Sequence, residues 1–210
     1  MRLLLALLLV TLGLRSPAAD TPGDFDFYVL ALSWSPSYCA SVAPGRSPLQ
    51  CDSGRPFAFV VHGLWPQYER GWPADCIEPA PRLSQAAVQG MLDIMPAAGL
   101  VRHQWRKHGT CSGLPAEAYF ELTRRAFDSV AIPDALQRLE EPLVTSTRAL
   151  EAAFLEANPD IPADGISARC RDRRLQELRI CFTRELTPRS CEQVERRQCR
   201  EDSVLLPPVR

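Results

Sequence analysis

Lysine is almost missing from this chain. Lys107 is the only one among 24 basic residues, and histidine occurs just three times in 210 residues. With 25 acids the formal charge is −1, so the molecule as a whole does not attract polyanions. No C-x-x-C pair and no H-E-x-x-H motif occurs, which removes the usual sequence forms of a structural zinc site and a zinc protease. There is no internal repeat and no low-complexity stretch. Beyond the first residues no apolar run approaches the ~20 residues that span a bilayer. Glycine is modest at 11 while proline reaches 19, which predicts stiffened loops between short elements.

What is present fits a globular chain of one domain, with 46% apolar and 23% charged residues. Met1-Arg2 precedes an apolar run from Leu3 to Leu14, and Ser16-Pro17-Ala18-Ala19 follows. This is the layout of a secretory signal peptide over residues 1–19, leaving residues 20–210 as the mature domain. The alternative, a membrane anchor, meets a run that is too short. Cleavage removes Arg2 and Arg15 and no acid, so the formal charge moves from −1 to −3. Export to the periplasm or the medium makes disulfides expected for the eight cysteines. They can pair in roughly a hundred ways, and the sequence leaves the pairing open.

Residues 25–33 (FDFYVLALS) read as a buried strand, followed by a loop marked by Pro36, Pro44, Gly45 and Pro48. Residues 57–61 (FAFVV) read as a second strand that ends by delivering His62-Gly63-Leu64-Trp65-Pro66, before a proline-rich loop to 82. Helices are expected from Ser84 to Met95, over 100–108 with Gly109 at the stop, and near 115–129, 133–140 and 143–157. A late strand is expected over 175–183. The class is α+β.

All three histidines fall at two places: His62 beside the second strand, and His103 and His108 within HQWRKHGTC, residues 103–111. On a helix, His103 and Lys107 share a face, as do Gln104 and His108, so the four form one polar patch while Trp105 points to the core. Two separately mounted imidazoles and an ammonium suit phosphoryl chemistry. A neutral imidazole takes a proton, a protonated one gives it to a leaving oxygen, and the ammonium offsets charge on the phosphate. Core histidines, or a three-histidine zinc site, are the rival readings of the same residues.

FVVHGLWPQ (59–67) and HQWRKHGTC (103–111) closely resemble the two active-site segments of the ribonuclease T2 family. FDFYVLALSWSPSYC (25–39) is similar to that family's first core strand, and LRICFTREL (178–186) to its C-terminal strand. GLVRHQWRKHGTCSGL resembles the bacterial, periplasmic ribonuclease I-like branch. The resemblance implies a single α+β domain with a central antiparallel sheet packed with several helices. It also implies a monomeric endoribonuclease that uses neither metal nor cofactor. Single-stranded RNA is the substrate it implies, with no DNA cleavage and no membrane. The 2′-hydroxyl attacks the adjacent phosphorus, the 5′-oxygen leaves, and a 2′,3′-cyclic phosphate forms that is hydrolysed more slowly to a 3′-phosphate. His108 is then the general base and His62 the general acid; His103 holds the phosphate and Lys107 stabilises the pentacoordinate intermediate. Trp65, with Gln67, Tyr68 and Trp72, walls the base pocket. The family's disulfide framework implies Cys39–Cys51, Cys76–Cys111, and Cys170–Cys199 around Cys181–Cys191.

Three departures stand out. Gln104 replaces the family's usual glutamate: it can still hydrogen-bond a phosphate oxygen, but it brings no charge to favour protonated histidines, which implies activity displaced toward lower pH. Ser33 and Leu100 stand where other branches place glutamine and an aromatic, so no base preference carries over. Arg102 and Arg106 are expected to guide RNA phosphates. Arg169, Arg171, Arg173 and Arg174, with Arg196, Arg197 and Arg200, read as a solvated surface tied to nearby acids. A non-catalytic RNA-binding relative is the other function the residues allow.

Overall fold

The structure is a computed structural model, and it describes residues 20–195, 199 and 201–210. The expected signal peptide, residues 1–19, lies outside the described residues, as do Arg196, Arg197 and Arg200. Six strands form one sheet: β1 (Phe27–Trp34), β2 (Phe59–Gln67), β3 (Leu143–Thr145), β4 (Ile166–Arg171), β5 (Arg174–Phe182) and β6 (Val204–Leu206). The order is β2-β1-β5-β6-β3, with β4 paired to β5. All pairings are antiparallel except the contact of β5 with β6 at Arg174 and Leu205. Among the described residues eight α-helices surround the sheet: α1 (Ser35–Ser41), α2 (Pro48–Cys51), α3 (Gln85–Gln89), α4 (Ala98–Lys107), α5 (Ala116–Asp128), α6 (Asp134–Gln137), α7 (Thr147–Ala157) and α8 (Glu192–Glu195).

β1 lies between β2 and β5 and is buried on both faces, which is why it reads as an unbroken apolar run. Its alternation still sorts two sides. Tyr28, Leu30, Leu32 and Trp34 join the main core with the helices, whereas Phe27 and Val29 pack with Cys181, Cys191 and Val194 on the other face. That second face carries the functional residues described below.

β2 departs from regular alternation at His62. Ala31 of β1 pairs with Gly63 and Leu32 with Val61, so His62 is an extra residue, a β-bulge. Phe59 and Val61 before it and Leu64 after it belong to the same core. The bulge thus turns both His62 and Gly63 toward the second face. It also puts His62 and Trp65, three residues apart, on one side of a strand where regular pleating would oppose them. β5 repeats the device: Arg169 pairs with Glu177 and Cys170 with Leu175, leaving Gln176 extra. Leu175 and Leu178 both face the core, and Gln176 and Glu177 both face away from it.

Several expected elements change. The second strand does not end at Val61 but runs to Gln67, because the bulge lets the chain keep pairing with β1. The helix from Ser84 stops at Gln89, where Gly90 caps it, rather than reaching Met95. The 143–157 segment divides: Leu143–Thr145 pairs with β6, and Ser146 then caps α7 by accepting from the Ala149 N–H at 3.1 Å. The 133–140 helix shrinks to α6, and α1 occupies part of the expected loop after β1. β4 and β6 had no distinct signal; β6 is three residues long and held by neighbours remote in sequence.

The four disulfides are Cys39–Cys51, Cys76–Cys111, Cys170–Cys199 and Cys181–Cys191. Cys76–Cys111 ties the loop after β2 to the turn after α4, and the Asp75 N–H donates to the Lys107 carbonyl at 2.9 Å beside it. The bond closes a loop of 35 residues, for which chain entropy gives a stabilisation of about 4 kcal/mol. The Cys76→Ser/Cys111→Ser variant is expected to lose stability on that order in urea unfolding, and to turn over substrate more slowly even where it remains folded. Unchanged turnover in the folded variant contradicts this link.

Candidate active site

The helix ends where the chemistry begins. α4 buries Val101, Gln104 and Trp105 and stops at Lys107; His108 caps it with φ −122° and ψ −43°, outside helical geometry. A 3-10 turn over Gly109–Ser112 follows. A β-carbon on Gly109 would lie 2.5 Å from the Trp105 ring and 2.9 Å from that of Tyr119, so only glycine lets the chain turn there. The Tyr119 hydroxyl, on α5, donates to the Leu64 carbonyl at 2.8 Å and binds β2 to the helical layer.

Trp65 sits at the centre. Its ring centroid lies 5.2 Å from that of His62 and 5.4 Å from that of His108, so one indole borders both imidazoles. Its Nε1–H donates to Gln104 Oε1 at 2.7 Å, and the Arg179 guanidinium lies 5.0 Å from its centroid. The polar patch expected on α4 is therefore corrected. Gln104 is 1% exposed and its carbonyl oxygen is engaged by Trp65, so that oxygen brackets the indole instead of joining an open polar patch. The reason is close packing against β2 at Gly63, where a β-carbon would stand 2.2 Å from Gln104 Oε1.

The two imidazoles have contrasting surroundings. His62 Nδ1 lies 2.9 Å from Glu177 Oε2. Burial alone would raise the Glu177 carboxyl, but the hydrogen bond from His62 and the charge and hydrogen bonds of Arg179 more than offset it, and the group stays below its usual range. An ionised carboxylate only accepts hydrogen bonds, so Nδ1 carries the proton and Nε2 is the atom left for chemistry. His108 is buried, with Nδ1 enclosed and without a hydrogen-bond partner. Burial, then the charges of Lys107, His103 and His62, push it down to about 3, so it is neutral near pH 7. His103 is exposed on α4 and is also lowered, by partial desolvation and then by Lys107 and Arg106.

Two hollows flank these rings. One, of about 230 Å³, is lined by Trp65, Gln67, Trp72, Lys107, His108 and Arg179 among others. The other, of about 560 Å³, opens from His62 and Glu177. The structure thus brings together His62, His108, Lys107, Trp65, Gln67 and Trp72. It leaves Tyr68 outside both hollows, its hydroxyl donating to Asp20 at 3.3 Å. Among the described residues no three His, Cys, Asp or Glu side chains gather as a ligand group.

Three contributors were not anticipated. Glu177 and Arg179 carried a signal, since an acid and a base inside an otherwise apolar strand need partners. Gln193 carried none. Its Nε2 donates to the carbonyls of Tyr68 at 2.8 Å and Gly71 at 3.2 Å and to Gln67 Oε1 at 3.3 Å, and its Oε1 accepts from the Gly71 N–H at 2.9 Å. It lies in α8, two residues after the Cys181–Cys191 bond, and fixes the loop that bears Trp72.

Two outcomes follow for variants. Gly63→Ala forces its methyl into the Trp65–Gln104 bond and is expected to cost about 1–3 kcal/mol, read by urea unfolding, with a raised KM. As for pH, the unfolded His108 takes up its proton near ~6.5, the folded one only near 3. The unfolded chain therefore holds more protons in between, and the fold loses stability as pH falls through that window, by up to about 1.4 kcal/mol per pH unit. Urea midpoints measured between about pH 7 and pH 4 should fall less steeply for His108→Gln than for the parent.

The sequence model of the Ribonuclease T2 family matches residues 25–191. The chain is similar to a protein named Ribonuclease from Aeromonas hydrophila, at 36% identity over 92% of this chain and 90% of that one. It is similar to Ribonuclease I of Escherichia coli K12 at 29% identity, over 64% of this chain and 66% of the relative. Among solved structures, the RNase-related protein from Calystegia sepium has the same fold, with a TM-score of 0.70 at 21% identity over 89% of this chain and 98% of that one. RNase NT, solved in complex with 5′-AMP, aligns with a TM-score of 0.60 at 21% identity over 88% of this chain and 99% of its own.

Proposed function

The chain belongs to the ribonuclease T2 family and is an endoribonuclease, and on that footing we propose how its residues cut RNA. The substrate is single-stranded RNA, and the nucleophile is its own 2′-hydroxyl, so DNA does not react. His108 accepts the 2′-proton at Nε2, since Nδ1 is enclosed. His62 gives a proton from Nε2 to the departing 5′-oxygen, while Glu177 holds the opposite side of that ring. The phosphorus is left as a 2′,3′-cyclic phosphate, and slower attack by water gives a 3′-phosphate. Lys107 and His103 face the charge on the non-bridging oxygens.

The observation that carries this reading is the single indole bordering two imidazoles of opposite character. One is neutral and enclosed, with the Lys107 ammonium beside it; the other is backed by a carboxylate. A general base and a general acid need that difference. Burial and then the charge of Lys107 depress His108; that same charge favours an arriving phosphate anion, which in turn supports the proton His108 takes up.

The base of the attacking nucleotide lies against Trp65, Gln67 and Trp72, where aromatic faces stack. Tyr68 acts through the loop it anchors. Residues 1–19 direct export, and the mature chain works as a monomer in the periplasm or outside the cell, where its four disulfides persist.

His62→Ala and His108→Ala are each expected to lower kcat by about 10²–10⁴-fold. RNA with one ribose replaced by 2′-deoxyribose should survive at that linkage, the parent's first product should be a cyclic phosphate by mass, and EDTA should change nothing. Cleavage that needs a divalent cation, or equal cleavage of DNA, contradicts the mechanism.

A further inference from the structure

The hollow beside His62 leads to a cluster of positive charge. Its volume is about 560 Å³, and it runs from His62 and Glu177, past Ser33, Tyr38 and Leu100, to Arg171 and Arg174 at the tip of the β4–β5 hairpin. Neither His108 nor Lys107 lines it. Arg174 precedes Glu177 by three residues on β5, about 10 Å along a strand.

The tip is built in an unusual way. Arg171 pairs with Arg174 across a two-residue turn, Asp172-Arg173, with φ of +51° and +56°. Such turns favour Asn-Gly, because other side chains pay for the left-handed conformation. Here an arginine occupies the glycine position, which puts three guanidinium groups within four residues.

Arg171, Arg173 and Arg174 are not neutralised by neighbouring acids, and for these three the sequence-based expectation is corrected. Among the described residues their one ion pair is Arg171 with Asp172, at 4.0 Å between side chains 78% and 91% exposed. A contact of that kind contributes almost nothing. Arg173 and Arg174 have no carboxylate partner among the described residues. Without residues 1–19 the formal charge is −3, so this cationic tip contrasts with the molecule as a whole.

We propose that the hairpin tip is a phosphate-binding arm for the leaving strand of RNA, in which Arg171, Arg173 and Arg174 hold the phosphodiesters 3′ of the cut linkage. The inference rests on the assignment of His62 as general acid. That residue protonates the 5′-oxygen of the departing nucleotide, so the departing strand begins on its side and follows the hollow that opens there. The substrate class is accordingly an RNA strand continuing several nucleotides beyond the cut, rather than a dinucleotide or a strand ending there.

The test uses the mature, oxidised protein and substrates with one ribonucleotide, carrying each of the four bases in turn, in an otherwise 2′-deoxy strand. One substrate set is a dinucleotide, one is extended on the 3′ side and one on the 5′ side. The parent should cut the 3′-extended set about tenfold faster in kcat/KM at low salt than the dinucleotide, and R171Q/R173Q/R174Q should lose that gain while cutting the dinucleotide as before. Its plot of log kcat/KM against log salt for the 3′-extended set should flatten by about 0.7 for each phosphate the arm no longer holds. No gain from 3′ extension in the parent, a gain retained by the variant, or loss of dinucleotide cleavage in parallel would overturn the proposal. A parent that cuts none of the three sets refutes the cleavage mechanism itself, and the arm with it.

Discussion

A strand sends side chains alternately to opposite faces, and one that presents residues three apart on the same side must break that rule. Here the extra residue in β2 does so. With His62 inserted between paired positions, the chain keeps Val61 and Leu64 in the core while His62 and Trp65 emerge on the same side. The matching irregularity at Gln176 brings Glu177 to that side from β5. Two local interruptions of pleating thus assemble an imidazole, its carboxylate and an indole from strands that otherwise supply much of the core.

Around that geometry the electrostatics divide. Glu177 is shared between His62 and Arg179, Arg179 lies over Trp65, and Trp65 is held by Gln104 from α4. This closed circuit joins His62 to Trp65, with its two carbonyl-bearing members, Glu177 and Gln104, shielded from water, where electrostatic contacts are stronger than at the surface. His108 stands on the other side of the indole, where burial and then the charge of Lys107 keep it neutral. One ring is thus backed by a carboxylate, while the other is enclosed without one.

Much of this is legible in the sequence. The two histidine segments, the sole lysine and the apolar first strand identify themselves by residue type, and the resemblance supplies a disulfide pairing that the structure contains. What stays hidden has physical causes. A bulge leaves no compositional mark, so β2 reads as ending at Val61 instead of Gln67. Helical periodicity places Gln104 beside His108, but it describes a regular helix and says nothing of the strand packed against it; Gly63 and Trp65 decide the orientation of that amide. Glu177 and Gln193 act on partners more than a hundred residues away in sequence, a separation no local pattern spans. Short β6 exists only through its neighbours.

The hold of Gln193 on the Tyr68–Gly71 loop has one more implication. The glutamine is only as well placed as α8, and α8 begins directly after a cysteine bonded into β5. The placing of the Tyr68–Gly71 loop is thereby subject to the redox state of the surroundings, through a bond more than a hundred residues away in sequence.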